Sequence, residues 1–168
     1  MIAAEVVARA KSQLKRQTIY MLGHGGLHPD QPTAADSLNQ CDCSGFTAWC
    51  LGVSRKTENP WYKQANGGWM NTNMIFRDCA TSYGIFDGVP WKDALPGDLI
   101  VFAAAPVGHI GVVTECYGNE GPTRVIHCSS SNYRAVKDAI CETDTAVFKA
   151  NGARIARCCW VDYAPGPA

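Results

Sequence analysis

Cys41-Asp42-Cys43-Ser44-Gly45-Phe46-Thr47-Ala48-Trp49 opens an apolar helical pattern on a cysteine. After Cys43, the residues Phe46, Trp49, Cys50 and Val53 recur at helical spacing, which predicts a thiol at or just before a helix N-terminus. Unpaired N–H groups and the positive end of the helix dipole favour a thiolate there, and the thiolate is the nucleophilic form of cysteine. The pattern therefore predicts a lowered thiol pKa and makes Cys43 the candidate nucleophile. The competing expectation for any cysteine in an apolar helix is a small buried hydrophobe.

A chain of 168 residues, 46% hydrophobic and 18% charged, suits one soluble domain over residues 1–168, large enough to bury a core without a metal or disulfides. Fifteen basic residues balance fifteen acidic ones, so there is no general field to attract nucleic acid or an anionic membrane. No apolar run approaches the roughly 20 residues that span a bilayer. Nine cysteines include Cys41-x-Cys43 and the adjacent Cys158-Cys159 but no Cys-x-x-Cys pair, and no metal site is expected. No P-loop, His-Glu-x-x-His, Gly-x-Ser-x-Gly or complete dinucleotide fingerprint is present, and no cofactor is implied.

The element order reads as α+β. A first helix is expected near residues 2–16, with Ile2, Val6, Ala10 and Leu14 on one face and Arg9, Lys11, Lys15 and Arg16 mostly on a solvated one. The Gly-rich loop at Gly23-His24-Gly25-Gly26 and a polar connection lead to the Cys43 helix. Residues 62–70 read as loop, and 71–83 as a helix turning Met74, Ile75 and Cys79 inward. Residues 99–102, 110–116 and 124–128 are short β-branched or apolar runs typical of strands. Two more strands, 146–150 and 153–161, are expected around the hairpin signal Asn151-Gly152.

Thiol hydrolysis needs a base and a group that holds the base's tautomer. His109 follows Gly108 at the start of an apolar strand and is the candidate base; only the fold can bring it to Cys43. His127 lies about one strand, one turn and most of another strand further on, where an antiparallel pairing would make it a cross-strand neighbour and an orienter of His109. Asp98 is the rival orienter. Of the aromatics Trp61, Tyr62, Trp69 and Trp91, packing between loop and core is the favoured role over lining a groove.

Four blocks stand in order: Asp42-Cys43-Ser44-Gly45-Phe46, Leu95-Pro96-Gly97-Asp98-Leu99-Ile100-Val101-Phe102, Gly108-His109-Ile110-Gly111-Val112-Val113 and Val125-Ile126-His127. Together they resemble the NlpC family of bacterial cell-wall cysteine peptidases, a compact branch of the papain-like enzymes. The resemblance covers residues 18 to 129; residues 130 to 168 carry none. It implies a compact papain-like fold with N-terminal helices packed on a small antiparallel sheet. It also implies a catalytic set of Cys43, His109 and His127, and an acyl-side pocket lined by Tyr20, Asp42 and Ser44. The Cys43 N–H and the Tyr20 hydroxyl would be oxyanion donors.

The implied activity is cleavage of amide bonds in peptidoglycan stem peptides, at the bond from γ-D-glutamate to a diamino acid. The alternatives are an N-acetylmuramoyl-L-alanine amidase, an acyltransferase on the same scaffold, and a catalytically silent wall-binding module. The first residues carry an acid within the apolar part and lack a basic leader region, so they do not read as a secretory signal. Synthesis in the cytoplasm is expected, with phage-related or specialised delivery to the wall and an immunity protein or holin as a partner.

Overall fold

In the computed structural model, residues 1–81, 83–104 and 108–163 are described. Helix α2 (Cys43–Cys50) begins where the Asp42 carboxylate accepts the Gly45 N–H at 2.8 Å, and all eight of its residues are buried. A helix apolar on every side must be covered on every side. Helix α1 (Ala3–Ser12) packs against it, and the loop through Gly25 and Gly26 crosses it. Those two glycines have φ of +76° and +72°, and a Cβ on Gly26 would strike the Gly45 backbone, so the crossing depends on bare glycine on both sides.

The remaining elements are a two-residue parallel pair, β1 (Ile19–Tyr20) with β2 (Gln40–Cys41), and a six-stranded sheet. The sheet contains β3 (Phe86–Val89), β4 (Leu99–Phe102), β5 (His109–Cys116), β6 (Pro122–Cys128), β7 (Ile140–Asp144) and β8 (Arg154–Cys158). Its order is β3-β8-β4-β5-β6-β7, and every pairing is antiparallel. The fold is therefore α+β.

Both faces of the sheet are buried, so its central strands read as continuous apolar runs. Leu99, Val101, Ile110, Val112 and Ile126 join Phe46 and Trp49 in the larger core; Ile100, Phe102, Val113, Val125 and Ile155 join Phe148 on the other face. Helices α1, α2 and α4 (Thr72–Asp78) cover the first face. The short helix α6 (Ala146–Ala150) packs against β4 on the second. Among the described residues, no helix is long and apolar enough to cross a membrane.

Several expected boundaries are corrected. Residues 146–150 are helical rather than a strand: Asp144 Oδ1 accepts the Ala146 N–H at 2.9 Å, and the single turn turns Phe148 inward. Asn151-Gly152 consequently ends a helix, and β8 pairs with β3 and β4. Within 62–70 lies most of helix α3 (Pro60–Asn66), started by Asn59, whose Oδ1 accepts the Trp61 N–H, and closed by left-handed Gly67. Helix α4 stops at Asp78, whose buried carboxylate turns to accept the Tyr62 hydroxyl and the Ile85 and Phe86 N–H groups; Ser82, inside the expected helix, lies outside the described residues.

Helix α1 ends at Ser12, and Lys15 and Gln17 adopt positive φ. Arg9 is not on a solvated face: it donates to the Trp49 and Pro29 carbonyls and lies 3.9 Å over the Trp49 ring. Helix α5 (Ser130–Val136) and the strands β1, β2, β3 and β7 are further elements absent from the sequence reading.

Candidate active site

Asp42 caps the thiol helix and also anchors a buried polar cluster. Oδ1 accepts the Gly45 N–H and, at 3.1 Å, the Ser44 hydroxyl; Oδ2 accepts the Gly23 N–H at 2.6 Å and Arg55 Nη2 at 3.0 Å. Arg55 Nη2 also donates to Ser44 Oγ at 2.9 Å, and Nη1 to the His24 and Gly25 carbonyls. The Arg55 and Asp42 side chains are only 1% and 2% exposed. The guanidinium lies 4.4 Å from the Trp69 ring centre, and its Nε has no hydrogen-bond partner among the described residues.

Asp42, Cys43 and Ser44 line a cavity of 230 Å³ with Arg55, Trp69 and Thr72. Of the four aromatics singled out from the sequence, Trp69 alone lines it, while Tyr62 is fully buried against Asp78. Tyr20 is placed elsewhere, in a neighbouring cavity of 610 Å³ with His109, His127 and Thr143. Gly108 borders both cavities. Burial first, then the proximity of Cys43 and Asp42, pushes the Tyr20 phenol well above its ordinary pKa, so it is a hydrogen-bond donor throughout the neutral range.

The two histidines meet across strands. Val112 pairs with Ile126, which puts Gly111 opposite His127 when the register is extended by one, and His109 diagonal to it. A Cβ on Gly111 would lie 2.9 Å from the His127 Cβ; the bare glycine leaves room for the rings to meet. His109 Nε2 is 2.7 Å from His127 Nδ1, and His127 Nε2 is 3.0 Å from Thr143 Oγ1.

The hydrogen-bond directions in this chain are fixed from its far end. Thr143 donates its only hydroxyl proton to the Asp144 carbonyl at 2.8 Å, so it must accept from His127 Nε2–H. His127 Nδ1 is then an acceptor and His109 Nε2–H the donor to it. That tautomer leaves the lone pair on His109 Nδ1. Asp98, the rival orienter, is engaged elsewhere: Arg157 Nε and Nη2 donate to its carboxylate at 2.9 and 2.7 Å, and the Leu95 N–H joins them. His24 is paired with Asp36 at 2.7 Å in the Gly-rich loop.

Cys43 and the histidines are less directly joined. No hydrogen bond links Cys43 to His109 among the described residues. The sulfur lies 3.5 Å from Thr72 Oγ1, and the Ser44 and Ile110 backbone N–H groups also favour its anion. The His109 ring stacks on Phe148 on the second face of the sheet, with centroids 5.3 Å apart.

The expected lowering of the thiol pKa is also overturned. Burial, and secondarily the Asp42 carboxylate, pushes the Cys43 thiol up to about 11, outweighing the three hydrogen bonds that favour the thiolate. Burial, reinforced by His127, lowers His109 to about 3, and burial lowers His127 to about 4. At neutral pH the thiol and both imidazoles are therefore uncharged.

Buried neutral histidines carry an acid liability. Their folded pKa values lie below the unfolded value of about 6.5, so the unfolded chain binds more protons between that value and about 4. The stability they permit is complete above about pH 6.5 and is lost as the pH falls, at up to about 1.4 kcal/mol per pH unit for each histidine. Urea midpoints measured from pH 7 to 4.5 are expected to fall, with a shallower slope in His127→Gln. An equal slope in that variant would assign the acid sensitivity to other groups.

Sequence reasoning missed Arg55, Thr72 and Thr143. Nothing local marks Arg55, which lies in a polar turn. Thr72 follows the helix-capping Asn71, a legible signal for a helix start but not for contact with sulfur. Neither the protein-family models nor the curated proteins compared with this chain match it.

Proposed function

We propose that this chain is a papain-like cysteine hydrolase of peptidoglycan stem peptides, cutting the amide bond from γ-D-glutamate to a diamino acid. One observation carries the reading: the ordered chain His109–His127–Thr143 leaves a lone pair on His109 Nδ1, in a cavity that meets the Cys43 cavity at Gly108. The four sequence blocks supply the substrate class. Peptidoglycan lies outside the cytoplasm, so the reading includes phage-related or specialised delivery, with a holin or immunity protein as companion.

In this mechanism a scissile carbonyl enters at Gly108, where the two cavities meet. The His109 ring, stacked on Phe148 on the second face of the sheet, has to move toward Gly108 to reach the thiol; the thiol proton then passes to its Nδ1 as the sulfur attacks, and the carbonyl electron pair moves to oxygen, facing the Cys43 N–H. His109 then protonates the leaving amine, and water hydrolyses the thioester. His127 accepts from Nε2–H throughout and stabilises the transient imidazolium. Because thiol and imidazole rest neutral, charge forms only during attack.

A silent wall-binding module is the second reading, favoured by the absence of a Cys43–His109 hydrogen bond among the described residues. Purified protein incubated with sacculi and with matched synthetic stem peptides separates the readings. Cleavage after γ-linked D-glutamate is expected, with the α-linked isomer poorer by on the order of 10⁴-fold, as for a site built to hydrogen-bond its substrate. Release of intact L-alanyl peptides from the sugar would move the chain to the amidase reading. Equal cleavage of casein would remove the wall assignment, and binding to sacculi without any product would establish the silent module.

A further inference from the structure

The thiol at the head of α2 is met by groups from three separate segments. Its own helix supplies the Ser44 N–H, the start of β5 supplies the Ile110 N–H, and the start of α4 supplies the Thr72 hydroxyl at 3.5 Å. Thr72 is 4% exposed, and its hydroxyl makes no other hydrogen bond among the described residues. Its position is set from both sides. Asn71 Oδ1 accepts the Met74 N–H at 2.9 Å to start α4, which packs on β4, and the preceding Met70 N–H donates to the Arg55 carbonyl at 2.7 Å. The residue that holds Asp42 from below thus also holds the segment that brings Thr72 to the sulfur.

We propose that Thr72 is a catalytic residue: its hydroxyl donates a hydrogen bond to the Cys43 sulfur once the thiol proton has left, and so supports the reactive anion. No bond within Thr72 breaks. While sulfur carries its proton, the hydroxyl oxygen can accept from S–H; after the proton departs to the base, the hydroxyl rotates and donates instead. In a buried site whose strongest neighbouring charge is the Asp42 carboxylate, a neutral donor is one of few groups able to offset the cost of the anion. The Thr72 hydroxyl, brought from α4, and the Ser44 and Ile110 N–H groups, which also favour the thiolate, make the surroundings of the sulfur a product of the tertiary fold rather than of the helix alone. The inference rests on Cys43 being the nucleophile but not on the identity of the substrate.

The test is therefore made without substrate. Iodoacetamide labelling of Cys43 is followed by peptide-resolved mass spectrometry from pH 7 to 10.5, in wild type and in Thr72→Val, Thr72→Ala and Thr72→Ser, with exposed Cys159 as the internal reference. Removing a hydrogen bond to a charged group should slow Cys43 labelling about ten-fold at pH 8 and move its pH profile upward in the Val and Ala variants. Thr72→Ser, which keeps the hydroxyl, should label within about two-fold of wild type. The Cys159 rate should not change. A Thr72→Ala profile superimposed on that of wild type would overturn the proposal, and so would a Ser variant as slow as Ala. If Cys43 in wild type resists labelling across the whole range, the nucleophile assignment itself falls, and the role of Thr72 with it.

Discussion

Cys43→Ala is expected to abolish hydrolysis, lowering turnover by at least roughly 10⁴-fold, because among the described residues Cys43 is the cysteine that lines the cavity and only a thiol can form the thioester. The neighbouring groups are poor substitutes: Ser44 Oγ is bound by Asp42 and Arg55, and the Thr72 hydroxyl has no base within hydrogen-bond reach among the described residues. The fold should survive, since alanine suits the first turn of a helix and the cap is made by Asp42 rather than by the thiol. The measurement is product release from sacculi, with thermal unfolding as the control. Full activity in a variant that unfolds like wild type would end the thiol mechanism. The raised thiol pKa adds a second signature: the exposed Cys159, not Cys43, should be the first thiol labelled at neutral pH.

Arg55→Ala should destabilise the protein by roughly 3–5 kcal/mol, the cost of leaving a buried carboxylate without its partner. The change removes the ion pair to Asp42, the bond to Ser44 and the links to the His24 and Gly25 carbonyls in a single step. Arg55→Lys should not restore it, because one ammonium cannot reproduce a planar fork that serves acceptors on both sides. Urea unfolding measures the loss directly. A loss below about 1 kcal/mol would show that the pair behaves like an exposed salt bridge. The same variant should loosen the Gly-rich loop over α2, detectable as faster amide exchange at Gly26, whose N–H donates to the Ala34 carbonyl.

Much of the architecture was legible because its causes are local. Helical spacing after Cys43 and the Asp42 cap mark α2, and β-branched runs bounded by Gly and Pro mark β4, β5 and β6. The start of α3 was equally open to reading: Asn59 followed by Pro60, with Gly67 beyond, is a cap, a first-turn proline and a left-handed stop. Helix α6 was not. Five residues with one aromatic have no period to speak of, and Phe148 adopts its turn because the second face of the sheet needs covering.

By itself the sequence determined which residue types stand together along the chain: a cysteine at a helix start, a glycine-histidine strand start, and a second histidine one strand onward. Spacing and capping act over a few residues, so they survive in a one-dimensional reading. Only the tertiary structure decided the partners. It gave Asp42 to Arg55, Asp98 to Arg157 and the Cys43 sulfur to Thr72, and it set the tautomers of His109 and His127 from Thr143. It also reversed the expected state of the thiol, because desolvation depends on everything packed around an atom and outweighs the helix terminus that the sequence displays.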